Sequence, residues 1–347
     1  MAQAIRANDA ALLPSRRDEA FRWTDLRGVL RTVPPASPEA EPPAGGGPFA
    51  AIADAQELLV VNGRPLDGRS EPVLVTGETV LKLRVVSRAE GTAHAATLAV
   101  DVAPGAHLVL LESYEGEGAG YVAALDLTLR LAEGASVERI VVQADAQDSV
   151  SVSTADVTPA PHSRFAQTVV TDGARLQRHE TRVTHPGEGC EVRMDAAYVL
   201  GGRRHADLTT VVEHRGLNGA TTQVAKGVAA ERARAVFQGR IVVAHGADGT
   251  DARLRHDALL LNDGAEVDAK PELEIYADDV QCAHGNTIGA LDDEQLFYMR
   301  SRGLPEPEAR SLLMQAFLGD VVERIDHEGA REVVAQWIAD RLERLGR

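Results

Sequence analysis

The chain is organised around the stretch Lys270-Pro271-Glu272-Leu273-Glu274-Ile275-Tyr276-Ala277-Asp278-Asp279-Val280-Gln281-Cys282-Ala283-His284-Gly285. Aliphatic and acidic residues alternate in its first half, which predicts a half-buried β-strand. Two adjacent carboxylates, Asp278 and Asp279, then precede a Cys-x-His pair, Cys282 and His284. Side chains two residues apart on an extended chain share one face, so this thiolate and imidazole are placed to bind one soft metal. The structural alternative is a turn with a buried cysteine and a hydrogen-bonded histidine, since two ligands do not complete a zinc site.

A period-two pattern over residues 57–289 predicts short β-strands, with candidates at residues 58–61, 80–85, 97–100, 108–111 and 125–131. Glycine, a small residue, any residue and an aliphatic residue recur in that order before many strands, beginning at Gly105, Gly134, Gly173, Gly189 and Gly264. Glycine permits the positive φ of a tight corner, and the small residue lets the next coil stack closely. Repeated corners without intervening helices favour a stacked β-solenoid, while their irregular spacing leaves a β-sandwich open.

Helical patterns flank this β region. Residues 1–32 predict one or two short helices, and the proline- and glycine-rich residues 33–48 predict an extended or disordered linker. After residue 289, Asp292 or Asp293 is expected to cap a helix that stops at Gly303, and residues 305–325 and 328–345 predict two amphipathic helices. We therefore divide the chain into residues 1–56, 57–289 and 290–347.

Composition narrows the classes of function. The formal net charge of −16 argues against a nucleic-acid-binding surface. Two cysteines, Cys190 and Cys282, are too few for a disulfide framework, and Cys190 is expected to be a small buried corner residue. No signal-peptide pattern or long apolar run occurs, so we expect a cytoplasmic protein that does not cross a membrane. The G-x-x-x-x-G-K-[ST], G-x-S-x-G, H-E-x-x-H and C-x-x-C motifs are also absent from the sequence.

Eleven histidines are spread along the chain. Three of them, His179, His205 and His214, fall in strand-like stretches, where stacking coils about 5 Å apart could bring side chains together. The alternative is a set of solvent-facing or individually capped histidines, and we favour that interpretation.

The run KPELEIYADDVQCAHGNTIGALDDEQLFYMRSRG, residues 270–303, closely resembles the SufB/SufD family of iron–sulfur cluster assembly proteins. Three upstream segments fit the family pattern in order, namely Lys226-Gly227-Val228, Val236-Phe237-Gln238-Gly239-Arg240-Ile241 and Thr250-Asp251-Ala252. Phe21-Arg22-Trp23-Thr24-Asp25 is similar to the N-terminal signature of the SufD branch. The chain departs from the family where Leu254, His256 and Ala258 stand in place of expected Gln and Asn residues.

The resemblance implies a mainly β fold, a right-handed parallel β-helix with a short N-terminal helical segment and a C-terminal helical domain. It implies a non-catalytic scaffold that pairs with SufB and binds the ATPase SufC. It places His284, with Cys282, Asp278 and Asp279, at the cluster-assembly interface with SufB, where His284 and Cys282 are candidate metal ligands. No stably bound cofactor is implied, only transient iron or a transient iron–sulfur cluster.

Leu312, Phe317 and Trp337 lie on the amphipathic faces of the C-terminal helices, and we expect them to contact SufC. Two other functions are compatible with parts of the sequence. Paired carboxylates on a solenoid face would suit a polysaccharide-cleaving β-helix enzyme, although such enzymes are mostly exported. A homodimeric module that only stabilises SufB, without a ligand role, is the third interpretation.

Overall fold

The computed structural model describes residues 1–345 and shows a parallel β-solenoid of about 8 turns between short N-terminal helices and a C-terminal helical region. The strands are β1 Gln56–Val61, β2 Arg64–Pro65, β3 Val73–Val75, β4 Glu78–Ser87, β5 Ala93–Val102, β6 His107–Gly116, β7 Val122–Leu131, β8 Ser136–Ala144, β9 Val150–Pro159, β10 Arg164–Thr171, β11 Leu176–His185, β12 Glu191–Leu200, β13 His205–His214, β14 Ala220–Ala229, β15 Arg234–Val243, β16 Thr250–Leu260, β17 Glu266–Ile275 and β18 Val280–Gly289. The helices are α1 Ala2–Ala7, α2 Leu26–Val29, α3 Asp293–Ser301, α4 Glu306–Val322 and α5 Glu328–Leu345.

Successive strands alternate between two sheets. Sheet 1 contains β1, β2 and the even-numbered strands from β4 to β18, and sheet 2 contains the odd-numbered strands from β3 to β17. Apart from the antiparallel β1–β2 pair, the strand pairings are parallel. Their register partners are 25 to 32 residues apart in sequence, so one coil takes about that length. The predicted solenoid is confirmed, and parallel neighbours separated by a whole coil exclude the antiparallel β-sandwich.

The recurring sequence of glycine, small residue, any residue and aliphatic residue forms the predicted tight corners. Gly105, Gly134, Gly173 and Gly189 adopt φ values of 67–72°. The small residues that follow all five glycines are buried, and they are Ala106, Ala135, Ala174, Cys190 and Ala265. Gly264 is needed for a different reason, because a Cβ there would overlap the backbone oxygen of Glu231 in the neighbouring coil. Burial raises the pKa of the Cys190 thiol to about 11, as expected for an inert corner residue.

The core between the sheets is mostly aliphatic, but its middle contains a buried polar cluster. The Arg139 guanidinium donates to both carboxylate oxygens of Glu112 at 2.7 and 2.8 Å, and both side chains are almost fully buried. Arg139 also donates to Gln167 at 2.6 Å, and Tyr114 donates to Glu112 at 2.5 Å. This bidentate geometry with additional hydrogen bonds is what makes a buried ion pair tolerable.

The C-terminal helices cover the outer face of sheet 1. Apolar residues of α4 and α5 pack on Val109, Leu111, Ile140, Val142, Val170, Ala197, Val199 and Val228. The buried carboxylate of Glu138 accepts from the backbone N–H groups of Asp326 and His327 at 2.6 and 2.9 Å, just before α5 begins. That contact satisfies amides at the start of α5 and fixes where the helix begins. Asp292 caps α3, as expected.

The N-terminal segment covers part of the outer face of sheet 2, where Ala4, Leu13, Leu26 and Leu30 pack on its strands. Its helices are short, as predicted, and polar contacts hold residues 20–24 against sheet 2. The Arg178 guanidinium lies 4.3 Å from the centre of the Phe21 ring, and Thr24 donates a hydrogen bond to Asp207. Arg178 also pairs with Asp207 at 2.5 Å. The SufD-like signature, residues 21–25, therefore packs on sheet 2 of the same chain.

The proline- and glycine-rich linker is extended and held by the first coils. Ser37 hydrogen bonds to His94 at 2.9 Å, and Arg84 donates to the backbone oxygen of Gly45 at 2.9 Å. Phe49 is 2% exposed and joins the apolar cluster under α4 and α5. The linker thus crosses from the sheet 2 side to the sheet 1 side.

The three strand histidines do not converge. His179 hydrogen bonds to Ser153 at 2.7 Å inside the solenoid, His205 contacts the backbone oxygen of Trp23 at 3.1 Å, and His214 stacks on His185. All three are buried and each has its own partner, so of the two options in the favoured interpretation they are individually capped and do not face solvent. Within residues 1–345, no helix has the length and apolar character needed to span a membrane.

Candidate functional site

The two ends of the solenoid differ. At the N-terminal end, sheet 2 stops with the three-residue strand β3, and β1 is covered by the antiparallel strand β2. At the C-terminal end, the sheets stop with β17 and β18, which are ten residues long and pair with the solenoid along one edge only. We call this C-terminal end the open end. Its outer edges present unpaired backbone N–H and C=O groups, which natural proteins usually cover.

The open end also exposes side chains that face the core in every earlier coil. On β18, the inward row is Cys282, His284, Asn286 and Ile288, in register with Ala252, Leu254, His256 and Ala258 of β16. Ile275 on β17 and Ile288 on β18 are 42% and 41% exposed. The exposed aromatic residues Tyr276, Phe297 and Tyr298 follow β17 or lie on α3. The result is an apolar rim around a Cys-x-His pair.

Cys282 and His284 lie on the same face of β18, as the sequence predicted, with Cα atoms about 7 Å apart along the strand. Cys282 is half-buried against the core, and burial raises the pKa of its thiol. His284 is exposed, and no hydrogen bond to its ring occurs among the described residues. The imidazole is therefore free to bind a metal.

Asp278 and Asp279 do not join this pair. They lie exposed in the turn before β18, where their backbone N–H groups point at the Asp248 carboxylate at 3.3 and 3.4 Å. His284 is five positions after Asp279, a distance of about 16 Å along an extended strand. Within residues 1–345, neither carboxylate forms a hydrogen bond to the His284 ring. Among the described residues, no three His, Cys, Asp or Glu side chains are grouped to hold a metal.

A groove of about 540 Å³ runs beside β18 and is lined in part by His284, Asn286, Arg253, Arg255 and Arg324. Each of its arginines already has a carboxylate partner, in the pairs Arg253–Asp251 at 3.0 Å, Arg255–Asp257 at 2.7 Å and Arg324–Asp195 at 2.8 Å. None of these three arginines is without a carboxylate partner.

Sequence reasoning noticed His256 but missed its partner. His256 is fully buried one coil inside the open end, and its Nδ1 lies 2.7 Å from Oδ1 of Asn286 in the last strand. The signal for this contact was the coil length, since the two residues are 30 positions apart and in register. A coil length can be read from the sequence only when the corner spacing is regular.

The three predicted partner-binding residues have different environments. Leu312 is 42% exposed on α4, whereas Phe317 is half-buried, with the Lys226 ammonium 4.7 Å from the centre of its ring. Trp337 is 7% exposed and belongs to the apolar cluster between the helices and sheet 1. The physical reason is that α5 turns its apolar face toward the sheet, so Leu312 is the accessible residue of the three.

Residues 85–317 match the family model described as SUF system FeS cluster assembly, SufBD core domain. The chain belongs to the SufB/SufD family. It is 37% identical over 195 residues to an iron-sulfur cluster assembly SufBD family protein of Synechocystis, covering 56% of this chain and 43% of the relative. It is 33% identical over 245 residues to SufD of Escherichia coli, covering 70% and 58%, and 29% identical over 178 residues to SufD of Bacillus subtilis, covering 51% and 40%. The matches span about half of the length of these SufB/SufD relatives, and the most similar branch is SufD.

The two thiols of this SufD-like chain should react differently with an alkylating reagent. We expect Cys282 to be modified in the native protein, more slowly than a free thiol because its raised pKa leaves less thiolate at a given pH. Cys190 should be modified only after denaturation. Mass spectrometry of modified peptides at pH 7 and pH 9 measures both rates, and the rate at Cys282 should rise with pH. The Cys282→Ser variant is the control, and labelling of Cys190 in the native protein would contradict the buried corner.

Proposed function

We propose that this chain is a SufD-like scaffold subunit of a SUF iron–sulfur cluster assembly complex, and that its open end pairs with a SufB-like subunit. The observation that carries the proposal is the open end itself. Two full-length edge strands, an exposed apolar rim and an inward-facing Cys-x-His pair occur together there. Catalysis of ATP hydrolysis is assigned to a SufC-like partner, because the chain contains no P-loop motif.

The unpaired outer edges of β17 and β18 support a partner that contributes β-strands. A second solenoid end would supply strands for both β17 and β18 and would bury Ile275 and Ile288. Left uncovered, two long edge strands with exposed isoleucines would promote aggregation. The same contact would enclose Cys282 and His284 between two chains and remove water from them.

The ligand role of His284 follows from an incomplete set of donors. A neutral imidazole and a neighbouring thiol suit iron, but two donors leave most coordination positions of an iron ion or cluster empty. The remaining ligands must come from the partner chain or from sulfide. Iron and sulfide are cargo in this proposal, held during assembly and then released.

The C-terminal helices provide the proposed contact for the ATPase. Leu312 on α4 remains exposed while the opposite faces of α4 and α5 are buried on sheet 1. Deleting residues 305–347 is a poor test, because it would uncover eight apolar side chains on the outer face of sheet 1. A surface substitution is the better test.

Ile288→Asp should weaken pairing with the SufB-like subunit by at least about tenfold, which corresponds to about 1.4 kcal/mol, because it places a charge in the apolar rim. Leu74→Asp is the matched control, since Leu74 is 69% exposed on β3 at the opposite end. Affinity is measured by titration of the purified subunits. Equal weakening by both substitutions would rule out the open end as the specific interface.

His284→Ala should leave the complex assembled and lower its reconstituted iron and sulfide content by about tenfold or more, at least the loss seen when an outer partner of a metal ligand is removed. Cys282→Ala should have a smaller effect, and His107→Ala, an exposed histidine far from the open end, should have none. Subunit stoichiometry and bound iron are measured on the same sample. Normal iron content in a fully assembled His284→Ala complex would eliminate the ligand role.

Leu312→Asp and Trp337→Ala separate docking from folding. Leu312→Asp should reduce binding of the SufC-like ATPase without changing the melting temperature, because the side chain is exposed. Trp337→Ala should lower the free energy of unfolding by about 3–5 kcal/mol, as expected when a large core side chain is truncated. Urea unfolding and ATPase pull-down are measured for both variants. Unchanged ATPase binding by Leu312→Asp would show that the SufC-like ATPase binds another surface.

A further inference from the structure

The departure from the family pattern at His256 has a structural counterpart at the open end. His256 has no exposed surface, and its ring stacks on Phe237 with centroids 4.7 Å apart and planes 5° apart. Tyr198 flanks it at 6.0 Å. Burial lowers the pKa of His256, so the ring is neutral near pH 7 and has one N–H.

The hydrogen bonds decide which ring nitrogen holds that proton. Nδ1 lies 2.7 Å from Oδ1 of Asn286, and a carbonyl oxygen only accepts, so Nδ1 is the donor. Nε2 is then an acceptor, and the Tyr198 hydroxyl at 3.1 Å donates to it. Burial raises the pKa of Tyr198 far above its ordinary value, so the hydroxyl keeps its proton. A directed chain runs from Tyr198 through His256 to Asn286.

This chain of hydrogen bonds fixes the orientation of the Asn286 amide. With Oδ1 held by His256, the Nδ2 donors point away from the ring, and they have no protein partner among residues 1–345. Asn286 is exposed, and it shares the inward face of β18 with His284, about 7 Å away along the strand. An imidazole acceptor and an amide donor thus stand side by side at the open end.

We propose that Tyr198 and His256 are positioning residues that hold the Asn286 amide so that its N–H donates a hydrogen bond to a sulfur atom, sulfide or thiolate, of the species bound at His284. This inference rests on the proposed function and adds a second point of recognition to it. Hydrogen bonds to sulfur stabilise the reduced, more negative state of an iron–sulfur cluster and so raise its reduction potential.

The test compares shape-matched substitutions in the assembled complex with SufB-like and SufC-like subunits, reconstituted with ferrous iron and sulfide. His256→Asn keeps a donor where Nδ1 lies, and His256→Leu has a similar shape without one. Asn286→Ala removes the amide. Readouts are subunit stoichiometry, the visible circular dichroism spectrum and the reduction potential of the bound cluster, and the nitrogen-15 NMR signals of the Asn286 side chain in the free subunit.

We expect Asn286→Ala to shift the reduction potential to a more negative value and to alter the dichroism spectrum, with the complex intact. His256→Leu should shift the potential in the same direction and make the Asn286 amide signals resemble those of a freely rotating side chain. His256→Asn should restore both toward the original values, which a merely structural role of His256 would not predict.

An unchanged potential and spectrum in Asn286→Ala, with cluster bound, would overturn this inference and leave the proposed function standing. If the reduction potential shifts in Asn286→Ala but stays unchanged in His256→Leu, the positioning role of His256 is overturned. A cluster that binds equally well in the His284→Ala complex would instead overturn the ligand role of His284 in the proposed function, and this inference with it. The His284→Ala arm therefore distinguishes the two failures.

Discussion

Parallel pairing between successive coils is the constraint on which the whole structure depends. Each strand satisfies its backbone groups only if a strand one coil earlier and one coil later lie in register, 25 to 32 residues away. The same register stacks inward side chains in rows, so an aliphatic residue in one coil lies against an aliphatic residue in the next. Stacking of this kind has to stop at both ends. Here the first coil is blunted by β2 and β3, whereas the last coil ends with β17 and β18 uncovered.

The outer faces of the two sheets are covered by different physical means. On sheet 1, α4 and α5 bury a wide apolar surface, and Glu138 anchors the start of α5. On sheet 2, the N-terminal segment combines apolar packing with buried charge, and Arg178 is held by Asp207 and lies against Phe21. Removing one partner of such a pair leaves an uncompensated buried charge, typically at a cost of about 3–5 kcal/mol. The open end differs from these two faces, because no described strand or helix pairs with the outer edges of β17 and β18.

The open end holds only part of the donor set that a metal cluster requires. His284 and Asn286 of the last coil are in register with Leu254 and His256, which are buried in the coil before, and no further described coil covers the last one. In the proposed complex, a single chain would contribute two ligands and one oriented amide, which is too little to hold a cluster alone and would suit a cluster held transiently between chains. Membership of the SUF cluster assembly family gives this half-site its context.

The alternation of period two and the recurring glycine corners are local properties of the chain, and they predicted strands and tight corners while leaving a β-sandwich open. The resemblance of residues 270–303 to the SufB/SufD family decided for the parallel β-helix. The strands, the corner role of Cys190 and the shared face of Cys282 and His284 follow from such local rules. Tertiary structure alone decided three things: the exposure of the last coil, the separation of Asp278 and Asp279 from His284, and the contact between His256 and Asn286. Each depends on which coil lies beside which. That register is set by corner lengths that vary from coil to coil, so no periodic signal in the sequence reports it.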